Sequence, residues 1–434
     1  MTPLSEPAED GVADWQNLGL EQDVLLQIFE KVSSSQTIQL TGVSSGWRKT
    51  IHSVCGPWNK LDITTHQSQS DSFAAWLGKQ GPFIRHLRIS NSVTTVHSIQ
   101  GLYLRSMTGL ESYVDVAGAS VESLGQLPAS VKSVEAKFTV PAETYDVQIA
   151  LGTHSNITKL SLDCQMISSR HTHVYLHLPE ATPLAKLALT SYGFSRVDFH
   201  LLDAMSFRAL RSIHLSFIST QTQLEQIMEM TALQFMRVGI DTARSVLGDG
   251  INLAGIEALV NLQHLHLCLH TCYLRNAHML QRLPRLQVLG IDMSDDVAVL
   301  FRPEDGSSFA LPCLLDNLQH VELVMHSVFD VTDCLEGLRL VSRAPSLQVT
   351  LHQSSSRGPS EVHWAIKEGS ILARAVNLRQ LTVECTSMLI NLLPPKLESL
   401  QVTAKKVSVR ADLRAALSRL SRCCLKARLG VEYF

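Results

Sequence analysis

Residues 262–267 read Leu-Gln-His-Leu-His-Leu, and residues 286–291 read Leu-Gln-Val-Leu-Gly-Ile. Both follow one pattern: apolar, two residues, apolar, one residue, apolar. The last two apolar positions are two apart, so on a strand they share one side while their neighbours point to the other. Working outward, clear copies number eleven, from Ile84-Leu87-Ile89 to Leu397-Leu400-Val402, and include Leu210-Ile213-Leu215, Leu233-Met236-Val238 and Leu318-Val321-Leu323. Weaker starts at Leu110 and Leu347 fill the two widest gaps, and the twelve intervals then average about 26 residues. A unit of that length cannot bury its own apolar side, so it is stable only in a stack.

Segments between the strands carry apolar residues at helical spacing, such as Ile256, Leu259 and Val260, or Leu274, Leu280 and Leu283. Strand, loop, helix, repeated, resembles the leucine-rich-repeat family over residues 83–410. That resemblance implies an α/β solenoid with a curved parallel sheet on its concave side and helices on its convex side. One departure stands out. The family places Asn or Cys three residues after the last strand leucine, where this chain has, among others, Gln165, Tyr192, Ile218, His270 and Lys405. Pro303 to Pro312 and Gln353 to Ser360 read as inserted loops. Residues 411–434, with Leu413, Leu417, Leu420 and Cys424 at helical spacing, are expected to be a capping helix and tail. Eight basic residues lie between 404 and 428 against one acid, Asp412, which suits a solvated cap or an acidic partner.

Residues 14–63 do not fit the repeat. Leu20, Val24, Leu25, Ile28 and Phe29 make an apolar face at helical spacing, with Asp23 placed to oppose the helix dipole. Three blocks follow in order: Leu-x-x-Asp-Val-Leu-x-x-Ile-Phe from Leu20, Val-Ser-x-x-Trp-Arg from Val43, and Trp-x-x-Leu-Asp-Ile from Trp58. In that order and spacing they resemble an F-box, a three-helix module that docks on a Skp-type adaptor. Glu21 stands where that family has Pro. The alternative is a plain helical cap on the end of the stack. Residues 1–13 then form an acidic flexible tail, and residues 64–82 a linker and joining helix.

Lys and Arg total 37 and Asp and Glu 40, so the chain lacks the bulk positive field of a nucleic-acid binder. The first 30 residues hold seven acids and no Lys or Arg, and no run of about 18 apolar residues occurs, so neither export nor a membrane span is expected. Nine cysteines without framework spacing suit reduced thiols, and a cytoplasmic and/or nuclear setting is expected. The sequon Asn156-Ile157-Thr158 is discounted, since it falls in an expected buried strand. Phosphate loops, His-Glu-x-x-His and Cys-x-x-Cys are missing from the sequence, so no enzyme activity, cofactor or metal is expected. His264, His266, Cys268 and His270 alternate along one strand, but same-face residues about 6.5–7 Å apart are wide for one tetrahedral zinc.

Together the two resemblances imply a substrate receptor of a cullin-RING ubiquitin ligase. Leu20, Val24, Leu25, Ile28, Val43 and Trp47 would hold the adaptor, and the concave face would hold an unknown protein substrate. On that face the pattern places His214, Phe235, Arg237, His264, His266, His320 and Glu322, with Phe235 and Arg237 as anchors. The imidazoles suggest binding that changes between about pH 6 and 7.5. The reading from another class is a leucine-rich scaffold or inhibitor with no ligase recruitment.

Overall fold

A computed structural model describes residues 59–64, 79–90, 104–119, 121–140, 146–151, 156–166, 172–179, 182–192, 197–201, 207–241, 251–270, 274–294, 317–325, 345–351, 363–366, 372 and 375–433. The six residues expected to face an adaptor, Glu21 and both expected loops lie outside them. The chain divides into two compact units, the first covering residues 1–143, 148–168 and 177–183 and the second holding the rest. Each contains a parallel sheet whose strands come one per repeat. Among the described residues no helix is long and apolar enough to cross a membrane.

In the first unit the sheet runs Lys60–Thr64, His86–Ser90, Ser112–Ala119, Ser133–Val140 and Lys159–Met166 in spatial order. Its first strand corrects the expected boundary at residue 83. Leu61 pairs with Leu87 and Ile63 with Ile89, and both are buried, so the end of the third block of the N-terminal motif is itself a repeat strand. The physical cause is shared chemistry: Trp-x-x-Leu-x-Ile is the same apolar spacing as every other copy. Asn156 is also displaced from expectation, lying exposed in a turn before its strand with its amide donating to the Ala129 carbonyl at 3.1 Å.

The weak copy at Leu110 has a physical explanation. Register places Tyr113 and Asp115 opposite Leu87 and Ile89, so a carboxylate occupies an inward position. Asp115 is fully buried and accepts hydrogen bonds from Tyr113 Oη at 2.9 Å, Ala117 N at 2.9 Å and Gly118 N at 3.1 Å. The register then shifts before Ala119, so the carboxylate takes amides that the ladder no longer pairs. Burial, and after it the Asp115 carboxylate, pushes the Tyr113 hydroxyl pKa well up. Asp115→Ala leaves the buried Tyr113 hydroxyl and two part-buried amides without their acceptor and is expected to cost about 3 kcal/mol or more in urea unfolding. A loss within 0.5 kcal/mol would show that water satisfies them as well as the carboxylate does.

The second unit carries the sheet Lys186–Tyr192, Ser212–Ile218, Phe235–Asp241, His264–His270, Val288–Ser294, His320–Met325, Ser346–Leu351, Gln380–Glu384, Ser399–Ala404 and Arg422–Ala427. The repeat apolar residues of its central strands, from Leu210 to Leu323, are at most 5 % exposed. Two positions are revised by register. Leu347 pairs with Val321, so it holds the second apolar place of its copy and not the first. Arg422–Ala427 pairs in register with Ser399–Ala404, so the expected capping helix is a further repeat strand, preceded by one-turn helices Ala411–Leu413 and Arg414–Leu417. Among the eight basic residues there, Lys406 pairs with Glu432, Arg410 with Asp412, and Arg414 lies 5.2 Å from the Tyr433 ring centroid.

Among the described residues, helices are scarcer between the strands than expected. Ile256–Ala258 and Ala277–Arg282 are 3-10 turns, and Val260, placed on an apolar helix face by spacing, is 48 % exposed. The one helix of two turns among the described residues, Gln221–Met228, is held by a capping box between Thr220 and Gln223. Elsewhere a second parallel sheet takes its place, His363–Ile366, Ser387–Ile390, Lys406–Val409 and Val431–Tyr433. Trp364 and Ile366, Met388 and Ile390, Val407 and Val409 alternate inward, a period of two that favours strands. Polar side chains bridge successive turns at another place than the family's, just before several repeat starts. Ser130 donates to Leu110 O at 2.7 Å, Asn261 to Thr231 O at 3.1 Å and Asn317 to Pro284 O at 2.6 Å.

Candidate binding face

Neighbouring strands of the second unit align without offset through the middle of its sheet, so residues that point away from the core form cross-strand rows. One row is Ser212, Phe235, His264, Val288, His320 and Ser346. The next is His214, Arg237, His266, Gly290, Glu322 and Gln348. All seven residues expected on this face therefore lie in two adjacent rows. Phe235 is 38 % exposed, and its ring stands 5.9 Å from that of His264. His320 Nδ1 is 2.9 Å from Ser346 Oγ.

Two glycines that the repeat pattern does not explain shape this face. A Cβ on Gly239 would lie closer than 3.0 Å to the carbonyl carbon and oxygen of Ser216, where the neighbouring strand slips register between Leu215 and Ile218. A Cβ on Gly290 would lie closer than 3.0 Å to Nδ1, Cγ and Cε1 of His266, so the imidazole rests over bare backbone. Glycine weakens a strand interior, so its use at both places follows from close approach.

A third row joins the site that the sequence reading did not assemble, Gly239, Cys268, Asp292, Val324 and Thr350. Arg237 hydrogen-bonds Cys268, and one nitrogen, one sulfur and one oxygen of His266, Cys268 and Asp292 all lie within 4.8 Å of one another. Burial pushes the Cys268 thiol up to about 11, with Asp292 adding to the shift. No signal along a single strand points to Asp292. It meets His266 and Cys268 only across the ladder.

The electrostatics lower three of the imidazoles, His214, His266 and His320, from the titration range expected for this face. Burial, then the charges of Arg237 and His266, lowers His214 to about 4. Burial and Arg237 lower His266 against the opposing pull of Glu322 and Asp292, and burial lowers His320. An unfolded imidazole titrates near 6.5, so between about pH 6.5 and 4 the unfolded chain binds more protons and stability falls as pH falls. In EDTA, the melting temperature is expected to drop from pH 7 to 5, and His214→Gln should shallow that slope. A variant with the parent's slope would remove His214 as a cause.

Along the edge where these strands begin runs a shallow polar groove of about 730 Å³, lined among others by Gln263, Arg285, Gln287, Asn317, Gln319 and Arg379. Its amides and guanidinium groups are suited to backbone carbonyls and carboxylates.

No protein-family model matches the chain, and neither does any curated protein. Among solved structures, the chain is similar to that of the TLR13-ssRNA13 complex at 13 % identity and TM-score 0.41, with 81 % of this chain and 53 % of that one covered. It is also similar to the functional domain of InlJ from Listeria monocytogenes, at 13 % identity and TM-score 0.35, covering 73 % and 65 % of the two chains. The chain thus spans about half the length of the first and about two thirds of the second. A third, the leucine-rich-repeat protein LIC12759 of Leptospira interrogans, has 12 % identity and TM-score 0.38 over 86 % of this chain and 97 % of that one.

Proposed function

We propose that the chain is a non-catalytic substrate-recognition subunit of a Skp-cullin-F-box type ubiquitin ligase, working in the cytoplasm and/or nucleus. The N-terminal module docks on the adaptor, and the open face of the second unit's sheet binds the target protein. The observation that carries the binding half is the placement of Phe235 and Arg237 one row apart on a strand whose outer face stays partly open. Aromatic and Arg side chains are the types most enriched at binding hot spots. Such a receptor breaks no bond. It raises the effective concentration of a target lysine near the conjugating enzyme.

One observation favours the second reading, a scaffold or inhibitor without ligase recruitment. Leu61 and Ile63, part of the third N-terminal block, are buried in a repeat strand, so the solenoid alone accounts for them. Affinity purification of the full chain with mass spectrometry separates the two. Recovery of a Skp-type adaptor and a cullin supports the receptor, whereas recovery of partners without either supports the scaffold.

A further inference from the structure

We propose that His266, Cys268 and Asp292, on the outer face of the second unit's sheet, form a zinc site with one open coordination position. Imidazole, thiolate and carboxylate are the donors that zinc takes, and three protein ligands leave a fourth position for water. Their donor atoms lie within 4.8 Å of one another, whereas ligands at zinc bond lengths of about 2.0–2.3 Å stand roughly 3.4–3.8 Å apart. Closing that gap takes side-chain rotation of about 1 Å, with no change of strand register.

Three further observations fit a metal better than a plain polar surface. His266 Nε2 is buried with no hydrogen-bond partner among the described residues, an unusual state for a ring nitrogen. Its other nitrogen faces Glu322 Oε2 at 3.8 Å, the arrangement in which a carboxylate orients a metal-bound imidazole. Gly290 supplies the seat: with any Cβ there the ring could not lie where it does. Charge also balances. On binding, Cys268 releases its proton to solvent and donates a sulfur lone pair. Zinc at +2 and Arg237 at +1 then offset Cys268, Asp292 and Glu322 at −1 each. Arg237, already bonded to Cys268, remains as a donor to the thiolate. Strand spacing alone argued against His266 and Cys268 as joint ligands, but their side chains bring the donor atoms to within 4.8 Å, and the third ligand, Asp292, comes from the next repeat and was not visible along one strand.

The test uses the full chain, reduced, stripped with EDTA and dialysed against Zn²⁺ alone. One zinc per chain should be retained, and the melting temperature should rise with zinc. Replacing zinc by Co²⁺ should give a thiolate charge-transfer band of single-cysteine intensity and the strong visible bands of a four-coordinate ion. Cys268→Ser, Asp292→Asn and Gly290→Ala should each lose at least tenfold in zinc affinity and the melting shift, while Cys385→Ser keeps both. Retention of zinc at parental affinity by Cys268→Ser and Asp292→Asn would place the metal elsewhere and overturn the site. So would a parent chain that binds Co²⁺ without a thiolate band, a readout that stands even where a variant fails to fold.

Discussion

Changing Leu20 and Val24 together to Ala is expected to abolish capture of a Skp-type adaptor while the repeat sheets keep their circular dichroism. Their sequence spacing would set the two residues one helical turn apart, on an apolar face that some 50 residues could not bury by themselves. A broad apolar face left over in so small a module would be an interaction surface. Truncating two large side chains removes about 2–4 kcal/mol of apolar burial, a loss of about 30-fold to nearly a thousandfold in affinity. Undiminished capture would reject the adaptor assignment and leave the scaffold reading. Lost capture together with a lowered melting temperature of the whole chain would instead mark residues 14–58 as a structural cap on the stack.

Phe235→Ala combined with Arg237→Ala is expected to weaken capture of the substrate, once purification has identified it, without changing adaptor capture. Both side chains come from the strand Phe235–Asp241, third of the ten in the second unit's sheet, and neither contributes to the buried apolar row of Met236 and Val238. Their removal should therefore leave the fold intact. Each hot-spot loss costs about 2 kcal/mol or more, a factor of about 30 in affinity, and the two residues are close enough that their effects need not add. Arg237 also bonds Cys268, so Phe235→Ala alone is the cleaner measure of direct contact. If the double variant captures substrate like the parent, the polar groove bordered by Arg285 and Arg379 becomes the next surface to test.

What was legible beforehand follows from where the information lies. Leu265 and Leu267 announce their inward direction by spacing alone, because burial of alternate side chains depends only on the strand's own period. The same logic put Phe235 and Arg237 on the open face. Asp115 was not legible. Its tolerance at a core position depends on Tyr113 and two amides of a local register shift, which no hydrophobic pattern encodes. The segments between strands were misread for a related reason. Short apolar runs such as Ser387-Met388-Leu389-Ile390 satisfy both helical and alternating templates, and pairing with Lys406–Val409 decides for the strand.

The sequence by itself determined the repeat, the parallel stacking it requires and the residues of the outer face, since each depends on periodicity within one strand. Tertiary structure decided everything that depends on neighbours. Which residues stand side by side is set by cross-strand register: Cys268 beside Asp292, Arg237 beside His266, and the Leu61 strand beside the Leu87 strand. Protonation was decided there too, because His214 is lowered from 6.5 to about 4 by burial and the charge of Arg237, neither of which is a property of its own segment. Local sequence sets the direction of a side chain. Register and burial set its company, and chemistry depends on company.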